Sequence, residues 1–225
     1  MDATRSSPTR DLALVERLEK LYVAVVADCL DKVGVRDNVM GPQIRPIYPE
    51  ARLAGYAVTV DVVEVAAPPV SRDDYYRGEL AAVDAQQAGD VMVVSTCRGS
   101  YWGELLATAS RYRDARGLVG DCYGRDISML VEMRYPTFLA GYNACDSLGR
   151  IDVRAVGVPI SCGGVTVNPG DLVIGDLDGV AVIPSGLAAQ VIALAEEKLA
   201  GENMVRDKLA EGMPVSEAFR KYGVI

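Results

Sequence analysis

Apolar residues recur at helical spacing near the start of the chain. Leu12, Leu14, Val15, Leu18, Leu21 and Val25 fall on one face of a helix predicted over residues 11–33, with Gly34 as its stop. A connection over 35–51 carries Pro42, Pro46 and Pro49. Ala54–Val65 is rich in β-branched residues and reads as a strand, and Tyr75–Gln87 as a short helix. After the turn signal Gly89-Asp90, the run Val91–Thr96 is apolar enough for a strand buried on both faces. Strand and helix then alternate: a helix over Glu104–Ala115, a strand over Leu118–Asp121 ending in the loop Cys122–Gly124, a helix over Arg125–Met133, and a strand over Thr137–Ala140. A β-α-β-α-β run predicts a parallel sheet.

Beyond residue 150 the pattern changes. Val153–Val156, Val158–Ser161, Val165–Val167, Leu172–Ile174 and Val180–Ile183 are short β runs. The turn signals Gly163-Gly164, Asn168-Pro169-Gly170-Asp171 and Asp178-Gly179 punctuate them, which predicts antiparallel or mixed sheet. Asp176-Leu177-Asp178-Gly179 resembles a piece of a calcium loop but is too short, so a hairpin turn is expected. Ser185 is read as the cap of a helix ending near Gly201, followed by a charged helix over Glu202–Glu211 and a short one capped by Ser216. Glu196-Glu197-Lys198 reads as a solvated helix face. The fold class expected is α/β: a parallel β-α-β core, a β-rich second half, and helical arms at both ends. One domain over 1–225 is expected, with a core at about 20–184 and a C-terminal arm at about 185–225.

Composition narrows the chemistry. Half of the 225 residues are hydrophobic, and the net charge is −8, which argues against a nucleic-acid partner. No apolar run approaches the roughly 18–20 residues that span a bilayer. The start, Met1 to Arg10, is polar and lacks an apolar signal core, so a cytoplasmic protein is expected. The five cysteines are Cys29, Cys97, Cys122, Cys145 and Cys162; they form no Cys-x-x-Cys pair and read as free thiols. Histidine is absent. That removes Ser-His-Asp and Cys-His catalysis and the usual nitrogen ligands of zinc. A metal site would be oxygen-rich and suit magnesium or manganese.

One constellation stands out. Exactly twenty residues separate Glu104, within Gly103-Glu104-Leu105-Leu106, from Arg125, which follows Asp121-Cys122-Tyr123-Gly124 and precedes Asp126. In a right-handed β-α-β unit, the head of the first helix and the end of the next strand meet at the carboxyl edge of the sheet, where ligands of open α/β sheets bind. Gly103 lets a ligand approach the backbone. The first-turn N–H groups of Leu105 and Leu106 can hold a carboxylate. Arg125 offers a planar fork. Asp126, with Asp121 and Glu104 acting through water, can hold a hard cation. Taken singly, Arg125-Asp126 reads as a surface ion pair, Glu104 as a dipole-favouring acid and Asp121 as a helix cap. Tyr101-Trp102 is a candidate cleft wall, and Tyr75-Tyr76-Arg77 a candidate substrate contact.

The segments Gly103–Ala109, Gly120-Asp121 and Arg125-Asp126 together resemble the 4-hydroxy-4-methyl-2-oxoglutarate aldolase family, which also contains the regulator of ribonuclease E activity A. Gly163-Gly164-Val165-Thr166-Val167, Pro169-Gly170-Asp171 and Asp176-x-Asp178-Gly179-Val180 add to it, and the likeness spans about 20–212. It implies a swivelling β/β/α, RraA-like fold and homotrimers or homohexamers. It implies cleavage of 4-hydroxy-4-methyl-2-oxoglutarate or 4-carboxy-4-hydroxy-2-oxoadipate to pyruvate, and decarboxylation of oxaloacetate. By the same resemblance, Gly103 to Leu106 and Arg125 contact the pyruvate portion, and Asp126 binds Mg2+ or Mn2+. Glu104 orients or activates a metal-linked water, and Glu202 approaches the metal from a neighbouring subunit. Two positions depart from the family pattern. Cys122 stands where glycine is frequent and is expected to crowd the cleft. Met129 replaces a frequent acid. The alternatives are a protein-binding regulator of ribonuclease, or a different lyase or hydratase on the same site.

Overall fold

The computed structural model describes residues 10–223, so the polar start read over Met1–Arg10 lies, apart from Arg10, outside them. The elements run α1 (Leu12–Leu18), α2 (Val23–Lys32), β1 (Arg45–Pro46), β2 (Leu53–Glu64), α3 (Arg77–Asp84), β3 (Asp90–Val94), β4 (Ser100–Trp102), α4 (Glu104–Tyr112), β5 (Gly117–Gly124), α5 (Ile127–Glu132) and β6 (Thr137–Tyr142). They continue as β7 (Ile151–Val156), β8 (Ile160–Cys162), β9 (Val165–Val167), β10 (Leu172–Asp176), β11 (Gly179–Ile183), α6 (Ala188–Ala210) and α7 (Val215–Tyr222).

The main sheet has the order β1-β6-β5-β3-β2-β10-β11, with β4 also paired to β5 and β7 to β2. Its middle is parallel, as the strand–helix alternation predicts: β2 with β3, β3 with β5, and β5 with β6. The second half is antiparallel, with β10 between β2 and β11 and a separate β8–β9 hairpin turning through Gly163-Gly164. Asp176 and Gly179 face each other across the predicted hairpin turn. The sheet nearly closes. Met40 N–H donates to the Val180 carbonyl at 2.8 Å, and Val39 bridges Ala181. The segment leading into β1 therefore joins the β11 edge to the β6 edge.

Alternation along the strands sorts the core. Val91 and Val93 of β3 pack inward with Val119, Phe138, Val173 and Val182. Met92 and Val94 point the other way, towards Leu118, Ala107, Leu130 and Trp102 beneath α4 and α5. Both faces of β3 are buried, as its unbroken apolar run predicts. The two arms form one layer: Val15, Leu18, Val26 and Leu30 meet Val191, Ile192 and Ala195 over Leu172 and Ile183.

Several element boundaries differ from the pattern-based expectation. The helix expected over 11–33 is two helices, broken where Tyr22 turns extended. Asp176 supplies the physical reason: its carboxylate accepts the Val23 N–H at 2.9 Å and so starts α2 afresh. Ser185 opens a short 3-10 turn and caps nothing with its side chain, while its N–H donates to Asp171. From Ala188 one helix of 23 residues runs unbroken through Gly201, so the two helices expected there are one. Ser216 lies inside α7, which begins after Pro214. Glu196-Glu197-Lys198 is not simply a solvated face. Glu196 takes two bonds from Arg17, and Lys198 pairs with Asp28, so the run ties the arms together.

Candidate active site

The strand β4 is absent from the sequence expectation and decides the geometry. It lies parallel to the end of β5, with Ser100 opposite Tyr123 and Trp102 opposite Gly124. The Arg125 N–H then donates to the Trp102 carbonyl at 2.8 Å. Segments 100–106 and 123–126 are thus zipped together by backbone bonds. Gly103 leaves the ladder in an extended conformation open to any residue, so its need is for space. A Cβ there would lie 2.9 Å from Asp126 Oδ2 and 3.5 Å from Arg125 Cγ. Helix α4 starts at Glu104, whose N–H donates to Asp126 Oδ2 at 3.3 Å. Gly103, the N-cap, has no side chain to satisfy the following turn, and Asp126 takes only the Glu104 N–H, which leaves the Leu105 and Leu106 N–H groups to face an anion. Asp126 sits in the left-handed region at φ 57°, a conformation Asp tolerates better than most residues.

Arg125 is the hinge of a charged chain. Its guanidinium lies 4.0 Å from Asp126 and 3.3 Å from Asp146. Asp146 also accepts the Tyr76 hydroxyl at 2.5 Å. Burial opposes ionisation of Asp146, but the Tyr76 bond and the Arg125 charge outweigh it and hold its carboxyl below the usual value. Beside it Ser147 donates to Glu79 at 3.1 Å. Glu79 is only 6 % exposed. Burial pushes its carboxyl up to about 7, with the Ser147 bond pulling the other way. These groups line one cleft of about 250 Å³, floored by Tyr101 and Trp102 and flanked by Leu105 and Leu106.

The structure therefore brings Gly103, Leu105, Leu106, Arg125 and Asp126 together. Glu104 stands at the rim: its N–H meets Asp126, while its carboxylate is held back along α4 by the Thr108 hydroxyl at 2.7 Å. Asp121 is elsewhere. Alternation along β5 turns it away from α4, and its carboxylate accepts from Thr96 (2.5 Å) and the Gly163 N–H (3.2 Å), tying the β8–β9 hairpin to the sheet. Glu202 lies on α6, bonded to the Tyr22 hydroxyl and 3.5 Å from Lys198, and does not line the cleft of its own chain. Cys122 does not crowd the cleft. It faces the interior beside Cys97, fully buried, because its position in β5 points beneath Tyr101. Met129 is half exposed on α5. Of the tyrosines before α3, Tyr76 reaches the site.

Sequence reasoning missed Glu79, Asp146 and Ser147. A signal for Glu79 existed: positions 79, 82, 83 and 86 form the buried stripe of α3 and its end, and an acid on an apolar stripe calls for a partner. Asp146 and Ser147 lie in an irregular loop after β6, where no periodicity marks them.

Among the described residues no three Asp, Glu, Cys or His side chains converge as a metal cage. A hard cation that keeps several waters and takes one carboxylate plus a chelating ligand fits Asp126.

The chain matches the family described as "RraA-like: Aldolase/RraA" over residues 23–182. It is 27 % identical over 212 residues to a protein of Halalkalibacterium halodurans named "Putative 4-hydroxy-4-methyl-2-oxoglutarate aldolase", covering 93 % of this chain and 94 % of that one. It is 24 % identical to DlpA of Legionella pneumophila, covering 93 % of this chain but spanning only 34 % of that longer protein. The solved structure of Streptomyces coelicolor RraAS2, described as an unusual member of the RNase ES inhibitor RraA protein family, superposes with a TM-score of 0.79 at 25 % identity, covering 89 % of this chain and 100 % of that one.

Proposed function

Because the chain belongs to the RraA-like family, we propose that it is a divalent-metal-dependent class II pyruvate aldolase, which cleaves a 4-hydroxy-2-oxo acid to pyruvate and a second carbonyl compound. Decarboxylation of oxaloacetate is the side reaction of the same enolate chemistry. The observation that supports this reading is the β4–β5 ladder, which sets the start of α4, with Gly103 as its N-cap, beside an Arg-Asp pair.

The roles follow from chemistry. The Leu105 and Leu106 N–H groups receive the substrate carboxylate. The Arg125 fork holds the 2-oxo oxygen and the charge that gathers on it as the carbon–carbon bond breaks. Glu104, at the rim, takes the proton of the C4 hydroxyl through water. The C3–C4 bond then gives its electron pair to C3, C4 becomes a carbonyl, and the proton returns to C3 to yield pyruvate. Asp126 would hold Mg2+ or Mn2+, which supplies Lewis-acid polarisation of the 2-oxo group when bound. The working unit in this proposal is a homotrimer or homohexamer, with Glu202 the acid that a neighbouring chain contributes.

The test is pyruvate release from oxaloacetate, 4-hydroxy-4-methyl-2-oxoglutarate, 4-carboxy-4-hydroxy-2-oxoadipate and 4-hydroxy-2-oxopentanoate, with Mg2+ and with EDTA. Release that EDTA abolishes is expected. Asp126→Ala should lose it with an unchanged circular dichroism spectrum. Arg125→Lys should lower kcat/KM on the order of 100-fold, because lysine cannot supply the fork. Release indifferent to EDTA would refute the metal role. No release from any substrate by a folded oligomer would favour a regulator of ribonuclease, the reading the likeness to RraAS2 keeps open.

A further inference from the structure

The loop after β6 is fastened to the start of α3 at two adjacent points. Tyr76, the N-cap of α3, donates its hydroxyl to Asp146 Oδ2 at 2.5 Å. Glu79, in the first turn, accepts from Ser147 at 3.1 Å. The first of these bonds comes with backbone strain. Tyr76 lies in the left-handed region at φ 55°, which a bulky side chain rarely adopts unless its surroundings hold it there. The strained residue is aimed at a carboxylate whose other oxygen meets the guanidinium of the cleft. Asp146 Oδ1 is shielded from solvent and makes no hydrogen bond among the described residues. The charge that compensates it is Arg125 Nη1, 3.3 Å away.

Arg125 stands between two carboxylates. Its Nε is 4.0 Å from Asp126, beyond hydrogen-bond reach, whereas Asp146 is nearer and is itself fixed by Tyr76. The Arg125 side chain is long and 40 % exposed, so unheld it would sample many rotamers and seldom present its fork in one place. We infer that Tyr76 and Asp146 are positioning residues for Arg125: the hydroxyl fixes the carboxylate, and the carboxylate draws the guanidinium off Asp126 and over the cleft. The pairing occupies one edge of a group with five N–H donors and leaves the others for a substrate oxygen. Asp126 keeps its charge for a cation. The inference rests on the aldolase reading for what Arg125 meets, and it requires neither Tyr76 nor Asp146 to touch the substrate.

A double-substitution cycle tests it by calorimetry with Mg2+ present. Oxalate, a planar pair of carboxylates, resembles the enolate of pyruvate. It should bind Asp146→Ala about tenfold more weakly than the wild type, while pyruvate, with a neutral 2-oxo oxygen, weakens less than about threefold. Removing a negative charge would by itself tighten an anion, so weakening reports the lost positioning. Tyr76→Phe removes one hydroxyl and should act severalfold in the same sense, which serves should the first variant fold poorly. In oxaloacetate decarboxylation both variants should lower kcat and leave KM nearly unchanged. In the Arg125→Lys background, Asp146→Ala should no longer weaken oxalate, because the fork it positions is gone. A tie that merely steadies the loop would weaken both ligands alike and act undiminished in that background. Either result overturns the inference, as does oxalate affinity that neither variant lowers, or no oxalate binding by the wild type. The aldolase reading is judged on its own by pyruvate release from the 4-hydroxy-2-oxo acids. Release without coupling between Asp146 and Arg125 removes the positioning role alone. Coupling without release upholds that role and removes the aldolase.

Discussion

A single methyl group at position 103 is the smallest change the cleft should register. Its carbon would sit 2.9 Å from Asp126 Oδ2, so the carboxylate must swing aside. Gly103→Ala should therefore lower kcat/KM on the order of 10- to 100-fold, since small misplacements near reacting groups are costly. Its melting temperature should stay close to wild type, because Asp126 is exposed and gives up only a long bond from the Glu104 N–H when it swings aside. Glu79 makes a second residue-scale prediction. Its carboxyl is raised from 4.5 to about 7, first by burial and then by the charges of Asp146 and Asp152, against the pull of Ser147 and Arg125. Between those values the folded chain keeps a proton that the unfolded chain has lost. The stability Glu79 contributes is thus whole below pH 4.5 and is lost as pH rises through about 7, a change on the order of 3 kcal/mol. Urea unfolding from pH 4.5 to 8 should show that fall, and Glu79→Gln should flatten it; an unchanged slope would refute the assignment. At this scale the convergence of Gly103, Arg125 and Asp126 on one cleft was legible, because their spacing sets them at the same edge of a β-α-β unit. Asp121 was misplaced because the spacing fixes which strand a residue is on but not which face it takes, and β5 turns it towards the hairpin.

Among the elements, the break between α1 and α2 shows what periodicity does not encode. The apolar stripe runs on from Leu18 to Val25, yet the chain straightens at Tyr22 because a carboxylate 153 residues away supplies the cap. Asp176→Ala should remove that cap and cost about 1 kcal/mol, read as a lower urea midpoint with an unchanged slope. The converse holds in α6. Gly201 looks like a stop, but Val191, Ile192, Ala195 and Val205 are buried and carry the helix through it. The strand β4 was missed because three residues give too short a pattern. Its partner is set by the extension of β5, not by its own apolar content.

For the whole molecule, the parallel core and the antiparallel second half were both readable from strand spacing. The near-closure of the sheet was not, since residues 38–46 bridge two edges with isolated backbone bonds and no repeat. Nor was the joining of the two arms over β10 and β11, which relies on long-range pairs such as Arg17 with Glu196. Ile192 lies at the centre of that layer, fully buried. Ile192→Ala should cost about 2–5 kcal/mol in equilibrium unfolding while leaving the affinity for pyruvate intact, because no residue of that layer lines the cleft. A matching loss of affinity would show that the arms and the cleft are coupled.

The two walls of the cleft are carried by different stretches of chain. In the proposed reaction a strand pair grips the 2-oxo acid half, whereas a helix and a crossover loop present the other half, and two side chains bridge them: Arg125, beside Asp146, and Ser100, whose hydroxyl donates to the Asn143 carbonyl. Mutations that accumulate in 77–80 or 143–148, Asp146 apart, can retune which tail is accepted while the bond-breaking half stays in register. Divergence among descendants of this chain should therefore concentrate there, and exchanging those two short segments between relatives is the shortest route to transplanting one member's preference onto another.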